Sequence, residues 1–244
     1  MAEERTTSVG LLGEVLAEAR QLGFLGPGPV EAHLVHSGAY SALWAKCAPS
    51  PPRRVLDLGS GGGVPGLPLA LLWTDSGFTL LDSNRRRCAF LERAVLRLDL
   101  AGRVQVREGR AEQLARTSLR GSFDLVVARG FATPPITAEC GAPFLHPGGH
   151  LLVSEPPRLR PDPGTWDRRL TPDDSEVARG SEARWPVQGL RSLGLALAGS
   201  VEIPVSVRAF LLTSAPSERF PRRTGLPAKR PLWDSSPSST SVGS

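Results

Sequence analysis

The chain has 244 residues, 40% of them hydrophobic and 22% charged, with a formal net charge of +5. That is enough apolar material for one sizeable core with terminal additions, and too much for a chain that stays unfolded. The three cysteines, Cys47, Cys88 and Cys140, lack C-x-x-C spacing, which excludes a disulfide framework or a zinc site of that type, and no stretch approaches the ~20 apolar residues of a membrane span. The expectation is a cytoplasmic protein, acting as a monomer, without a membrane anchor or a metal.

Arginine far outnumbers lysine, which suits an anionic partner such as phosphate; a GC-rich genome that writes Arg for Lys explains it as well. Along the chain, Leu11, Leu12, Val15, Leu16, Ala19 and Leu22 recur at helical spacing until Gly23 and Gly26-Pro27 stop the pattern. A second helix is predicted over about residues 29–45, carrying His33, His36, Tyr40 and Trp44. Pro49, Pro51 and Pro52 mark a joint, so residues 1–48 read as an N-terminal helical cap.

Arg54 to Ala70, RVLDLGSGGGVPGLPLA, is the most informative stretch. Val55, Leu56 and Leu58 suit a buried strand, and Gly59, Gly61, Gly62 and Gly63 let the backbone turn sharply and approach a ligand. Asp57 makes the pattern D-x-G-x-G-x-G. A carboxylate there repels the pyrophosphate of a dinucleotide but tolerates a cationic ligand such as the amino-acid end of S-adenosylmethionine. Downstream, FTLLD at 78–82 reads as a second strand whose terminal Asp82 lies about 19 residues after Gly63, near the spacing of a carboxylate that holds ribose hydroxyls. The alternative for Asp82 is a plain N-cap of the helix that follows.

Strand and helix then alternate: Leu67–Trp73, Arg85–Leu98, Ala111–Leu114 and about 135–144 as helices, with 104–107, Phe123–Ala128 and 150–154 as strands. This predicts an α/β fold with a mostly parallel seven-stranded sheet and helices on both faces, and it gathers Asp57, Asp82, Arg110 and Arg129 at one sheet edge. Residues 156–163 are read as a loop and 171–183 as a polar stretch, followed by a helix over 190–198 and strands at 201–203 and 207–212. The domain thus runs over 49–232, and 233–244 is expected to be a disordered tail.

With these pieces in place, the chain resembles a Rossmann-like class I methyltransferase, and more closely the glucose-inhibited division protein B family of bacterial small-subunit (16S) ribosomal RNA guanine-N7 methyltransferases. The resemblance rests on DLGSGGGVPGLPLA at 57–70, LLDSNRRRCAFLERA at 80–94, EGRAEQL at 108–114, FDLVVARGFA at 123–132, HPGGHLLV at 146–153 and FPRRTGLPAKRPL at 220–232. The G-x-P-G extension of the loop and the C-terminal motif are far more selective than the glycines alone.

The resemblance implies S-adenosylmethionine as cofactor, bound around Asp57, Gly59, Ser60, Gly61, Gly63, Gly66 and Leu67. It implies ribose on Asp82, adenine near Arg110, Ala111 and Glu112, and Arg129 both among the cofactor-binding residues and on the substrate side as an orienting group. Arg222, Arg223, Lys229 and Arg230 would contact RNA phosphates, and ribosomal RNA or the small ribosomal subunit would be the partner. Taken singly, Arg129 also fits an ordinary ion pair, Glu112 an early-helix acid, His33 a buried helix histidine and the C-terminal cations a solvated tail. Guanine N7 carries an exposed lone pair, so no catalytic base is assigned.

The chain departs from the family pattern at Ala32 and His36, where the family has arginine and aspartate, and at Ser154-Glu155, where it has a lysine. Alternatives from other classes are a small-molecule methyltransferase using the same cofactor and a non-catalytic paralogue that binds cofactor and RNA.

Overall fold

The structure, a computed structural model, describes residues 2–155, 183–202 and 205–235; the expectations for 156–163, for 171–182, for Ile203 and for the tail beyond Ser235 lie outside them. The chain opens with α1 (Ala2–Gln21) and α2 (Val30–Cys47). There follow β1 (Arg54–Leu58), α3 (Gly66–Leu72), β2 (Gly77–Asp82), α4 (Arg85–Arg97), β3 (Val104–Glu108) and α5 (Ala111–Leu114). Next are β4 (Phe123–Ala128), α6 (Pro134–Gly141), a 3-10 turn over Ala142–Phe144 and β5 (Leu145–Ser154). α7 (Val187–Ser192), β6 (Leu195–Val201), β7 (Val207–Leu212) and α8 (Leu226–Lys229) complete it.

The described strands form one seven-stranded sheet in the order β3-β2-β1-β4-β5-β7-β6. β1 to β5 pair in parallel, and β7 runs antiparallel between β5 and β6. Both faces are covered, so the central strands are apolar almost throughout rather than alternating. Val55, Leu125, Val127 and Leu152 face a core shared with α1 to α4, while Leu56, Leu58, Val126 and Leu151 face a second core against α6, α7 and the C-terminal segment. The period of two along each strand divides these side chains between the cores.

α1 buries Leu12, Val15, Leu16 and Ala19, spaced i, i+3, i+4 and i+7, in the first core, whereas Leu22 is exposed beyond the helix end. Exposed ion pairs from Glu14 and Glu18 to Arg93 and Arg97 lie alongside this contact. No helix among the described residues is long and apolar enough to cross a membrane.

The helix expected over 190–198 is a correction. α7 ends at Ser192, Gly194 turns at φ +73°, and Leu195 onward is strand β6 paired to β7. The run LRSLGLALA suits either period; a left-handed glycine and an available strand edge decide for the sheet. β5 also begins earlier than expected, at Leu145, with the H-P-G-G segment taken into the strand at a register shift.

Candidate active site

The loop from β1 to α3 is shaped by glycines at φ +74° (Gly59), +53° (Gly61) and +89° (Gly63), backbone that a side chain resists. At Gly59 a Cβ would also stand 2.6 Å from the Phe131 ring. The loop is tied to the next strand: the N–H groups of Gly59 and Ser60 donate to the Leu81 carbonyl (2.8 and 2.9 Å), and Gly63 N–H donates to Ser60.

Two aspartates brace the loop from opposite sides. Asp82 Oδ2 accepts from Gly61 N–H (2.9 Å) and Oδ1 from Asn84 N–H (2.8 Å), with Arg87 3.8 Å away. Asn84, not Asp82, caps α4, accepting from the N–H groups of Arg86 and Arg87. Asp82 is therefore free of the capping role and stands in a cavity wall.

Asp57 lies below the loop, 1% exposed, and its Oδ2 accepts from Gly66 N–H at 3.0 Å while Oδ1 has no hydrogen-bond partner. Burial pushes this carboxyl up to about 7, against the pull of the Gly66 and Ser60 hydrogen bonds. Ser60 Oγ donates to the Asp57 carbonyl, Gly66 packs on Asp57, and Leu67 packs on Gly63 inside the first core. Asp57, Ser60, Gly61, Gly63, Gly66 and Leu67 thus build the loop from beneath.

Two cavities open at the C-terminal edge of the sheet, beside the reversal of strand order between β1 and β4, where open α/β sheets bind ligands. The first, of about 280 Å³, is bounded by Gly59, Asp82, Gly109, Arg110, Ala111 and Glu112, from the ends of β1, β2 and β3 and the start of α5. Leu81, Ser83, Arg87, Ile136, Cys140 and Ala228 also line it, none of them a site residue expected from sequence. The second, of about 610 Å³, is lined by Arg129, His36, Thr137, Ser154, Glu155 and Arg184 among others. Gly130, Phe131 and Ala132, the turn after β4, form the wall common to both.

The first cavity suits an adenosine nucleoside. Each Asp82 oxygen accepts one N–H bond and keeps a lone pair for a ribose hydroxyl, and the bare Gly59 and Gly109 leave room for close approach.

α2 supplies the far wall of the second cavity. Tyr40 Oη donates to the Ala128 carbonyl at 2.7 Å, which sets α2 against the end of β4. Two turns before, His33 Nδ1 lies 2.7 Å from Arg129 Nη2; arginine only donates, so Nδ1 accepts and His33 is neutral. Burial, with Arg129 beside them, lowers both imidazoles, His36 to about 4. An ion-pair partner for Arg129, the simpler reading of that residue, is absent among the described residues; its guanidinium donates to His33 instead.

Of the four cations of the C-terminal motif, Arg222 is turned inward: its N–H and Nε donate to Oε1 of the fully buried Glu139 at 2.9 and 2.8 Å, and Nη2 donates to Oε2 at 2.6 Å. The pairing has a simple cause, since a buried carboxylate needs a charged partner and Arg222 provides a forked one. Glu112, expected at adenine, reaches past the cavity so that Oε1 accepts from Gly225 N–H at 3.0 Å. Arg116 and Arg120 donate to the carbonyls of Pro221 and Phe220 at 2.5 and 2.7 Å. Arg223, Lys229 and Arg230 are exposed.

The sequence model of the family described as rRNA small subunit methyltransferase G matches residues 30–156. The chain is 34% identical over 198 residues to the ribosomal RNA small subunit methyltransferase G of Synechococcus sp. (strain CC9902), covering 79% of this chain and 76% of that one. It is 37% identical over 182 residues to the enzyme of the same name from Prochlorococcus marinus (strain MIT 9303), covering 74% and 68%. Among solved structures, a SAM-dependent methyltransferase from Aquifex aeolicus shares the fold at a TM-score of 0.52 and 14% identity, over 81% of this chain and 98% of that one. The glycine loop, the Asp82 wall and the paired cavities therefore sit in a chain that belongs to the rRNA small subunit methyltransferase G family.

Proposed function

We propose that the chain transfers a methyl group from S-adenosylmethionine to N7 of a guanine in small-subunit ribosomal RNA. The observation that carries this reading is the pair of cavities sharing the Gly130–Ala132 wall, one suited to a nucleoside and the other open for the acceptor. Bound in the first cavity, S-adenosylmethionine would supply an electrophilic methyl group on a sulfonium sulfur.

The acceptor base enters the second cavity out of its stack, as enzymes that modify bases require. N7 attacks with its own lone pair, so the protein need not remove a proton. Its task is to hold the base in line and exclude water, for which orientation is worth several kcal/mol. The purine becomes cationic during transfer. His36, held neutral in the cavity wall, adds no charge against it, and the Glu155 carboxylate there is paired with Arg184 at 2.9 Å, so that the pair adds little net charge. Arg129, fixed by His33, is placed to orient the base or its phosphate.

Purified protein with methyl-labelled cofactor should label small ribosomal subunits from a strain lacking its own enzyme of this family. Nuclease digestion and mass spectrometry should find 7-methylguanine in the RNA. Label at another atom would overturn the N7 assignment; label only in small molecules of the extract would overturn RNA as the substrate.

A further inference from the structure

The exposed cations Arg223, Lys229 and Arg230 belong to the same short segment that supplies Ala228 to the wall of the nucleoside cavity. One face of the segment thus meets the cofactor site while the other offers positive charge to solvent. Two carboxylates keep it there. Glu112, itself a cavity residue on α5, takes the Gly225 N–H, and Glu139 on α6 takes three donors from Arg222. Arg222 Nη2 also donates to the Arg230 carbonyl at 2.7 Å, folding the two ends of the segment onto one guanidinium. Chain position does not require this arrangement, because Glu112 and Gly225 are 113 residues apart and Glu139 and Arg222 are 83 apart.

We infer that Glu112 and Glu139 are positioning residues that make the cationic C-terminal segment the closing wall of the nucleoside cavity, so that cofactor binding and RNA docking on that segment are linked. The inference rests on the proposed function. A ligand that settles the wall favours the segment conformation that the other ligand needs. The two affinities must then change by one common factor, since coupling between sites is reciprocal.

The test uses the full chain, S-adenosylhomocysteine as a non-reacting nucleoside, and small ribosomal subunits from the strain described above. In wild type, saturating nucleoside should tighten subunit binding, and subunits should tighten nucleoside binding, by the same factor, about 5-fold or more. In Glu139→Gln and Glu112→Gln, calorimetry should show nucleoside affinity weakened by roughly an order of magnitude, with the coupling factor reduced toward one. A residue that merely stabilises the fold would leave that factor unchanged. Hydrogen exchange in wild type supplies a readout independent of variant folding: the Gly225 amide should gain protection when nucleoside binds.

Unchanged nucleoside affinity in both folded variants, or no change at the Gly225 amide, would overturn the positioning role. Subunits methylated by a wild type that shows no coupling would overturn the linkage alone. A wild type that neither binds nor methylates subunits would overturn the proposed function and the linkage together.

Discussion

Asp57 shows how a motif residue acts on the loop above it from a buried position. Its carboxyl is buried and raised to about 7, while in the unfolded chain it returns to the ordinary carboxylate range. The folded state therefore binds the proton more tightly, and stability falls as pH rises from about 4 through about 7 and levels off above. Fully developed, the loss is on the order of 3–4 kcal/mol. Asp57→Asn keeps an acceptor for Gly66 N–H but cannot ionise. Urea unfolding of the two proteins across pH 4–8 should show the wild type losing stability relative to the variant, and parallel curves would sink this account. The D-x-G-x-G-x-G spacing was legible in the sequence, but not that Asp57 turns beneath the loop while Asp82 faces the cavity. That division depends on which carboxylate the neighbouring strand leaves accessible.

At the scale of elements, α2 brings His33 and His36 to the second cavity and to Arg129. His36 lines the second cavity directly, and His33 holds Arg129, the residue that follows β4. The register of the helix against the sheet is pinned by Tyr40 on the Ala128 carbonyl. Tyr40→Phe removes the donor and leaves a buried carbonyl short of a partner, at a cost of about 1–3 kcal/mol. Because the adjacent residue is Arg129, methyl transfer should fall more than nucleoside affinity does; a drop in thermal midpoint with transfer intact would show that the pin serves stability only. The helix itself was legible from its spacing. Its contact with β4 was not, since Tyr40 and Ala128 are 88 residues apart and no local pattern records their meeting. β6 and α7 teach the converse: an apolar run broken by one glycine satisfied two periods, and pairing with β7 chose between them.

For the whole molecule, the cations of the C-terminus have two environments. Arg222 is paired with Glu139, whereas Arg223, Lys229 and Arg230 are exposed. Replacing those three by Gln should weaken binding to ribosomal RNA and lower the magnitude of the salt-dependence slope by about 2–3, at 0.7–0.9 per neutralised phosphate. A slope equal to that of wild type would move the RNA contact elsewhere. A deletion of residues 219–232 would also take Ala228 from the first cavity, so the point substitutions are the cleaner test of RNA contact.

What the sequence determined by itself is whatever short-range chemistry encodes: the strand–loop–helix around the glycines, the alternation that makes a doubly covered sheet, and the acids at strand ends. The tertiary structure alone decided the partners of those residues across long separations. It buried Asp57, gave Glu139 to Arg222 and Glu112 to Gly225, and so folded the last motif against α5 and α6. Such pairings follow from which charges the packed core forbids to remain alone, and that is settled only when the distant elements meet.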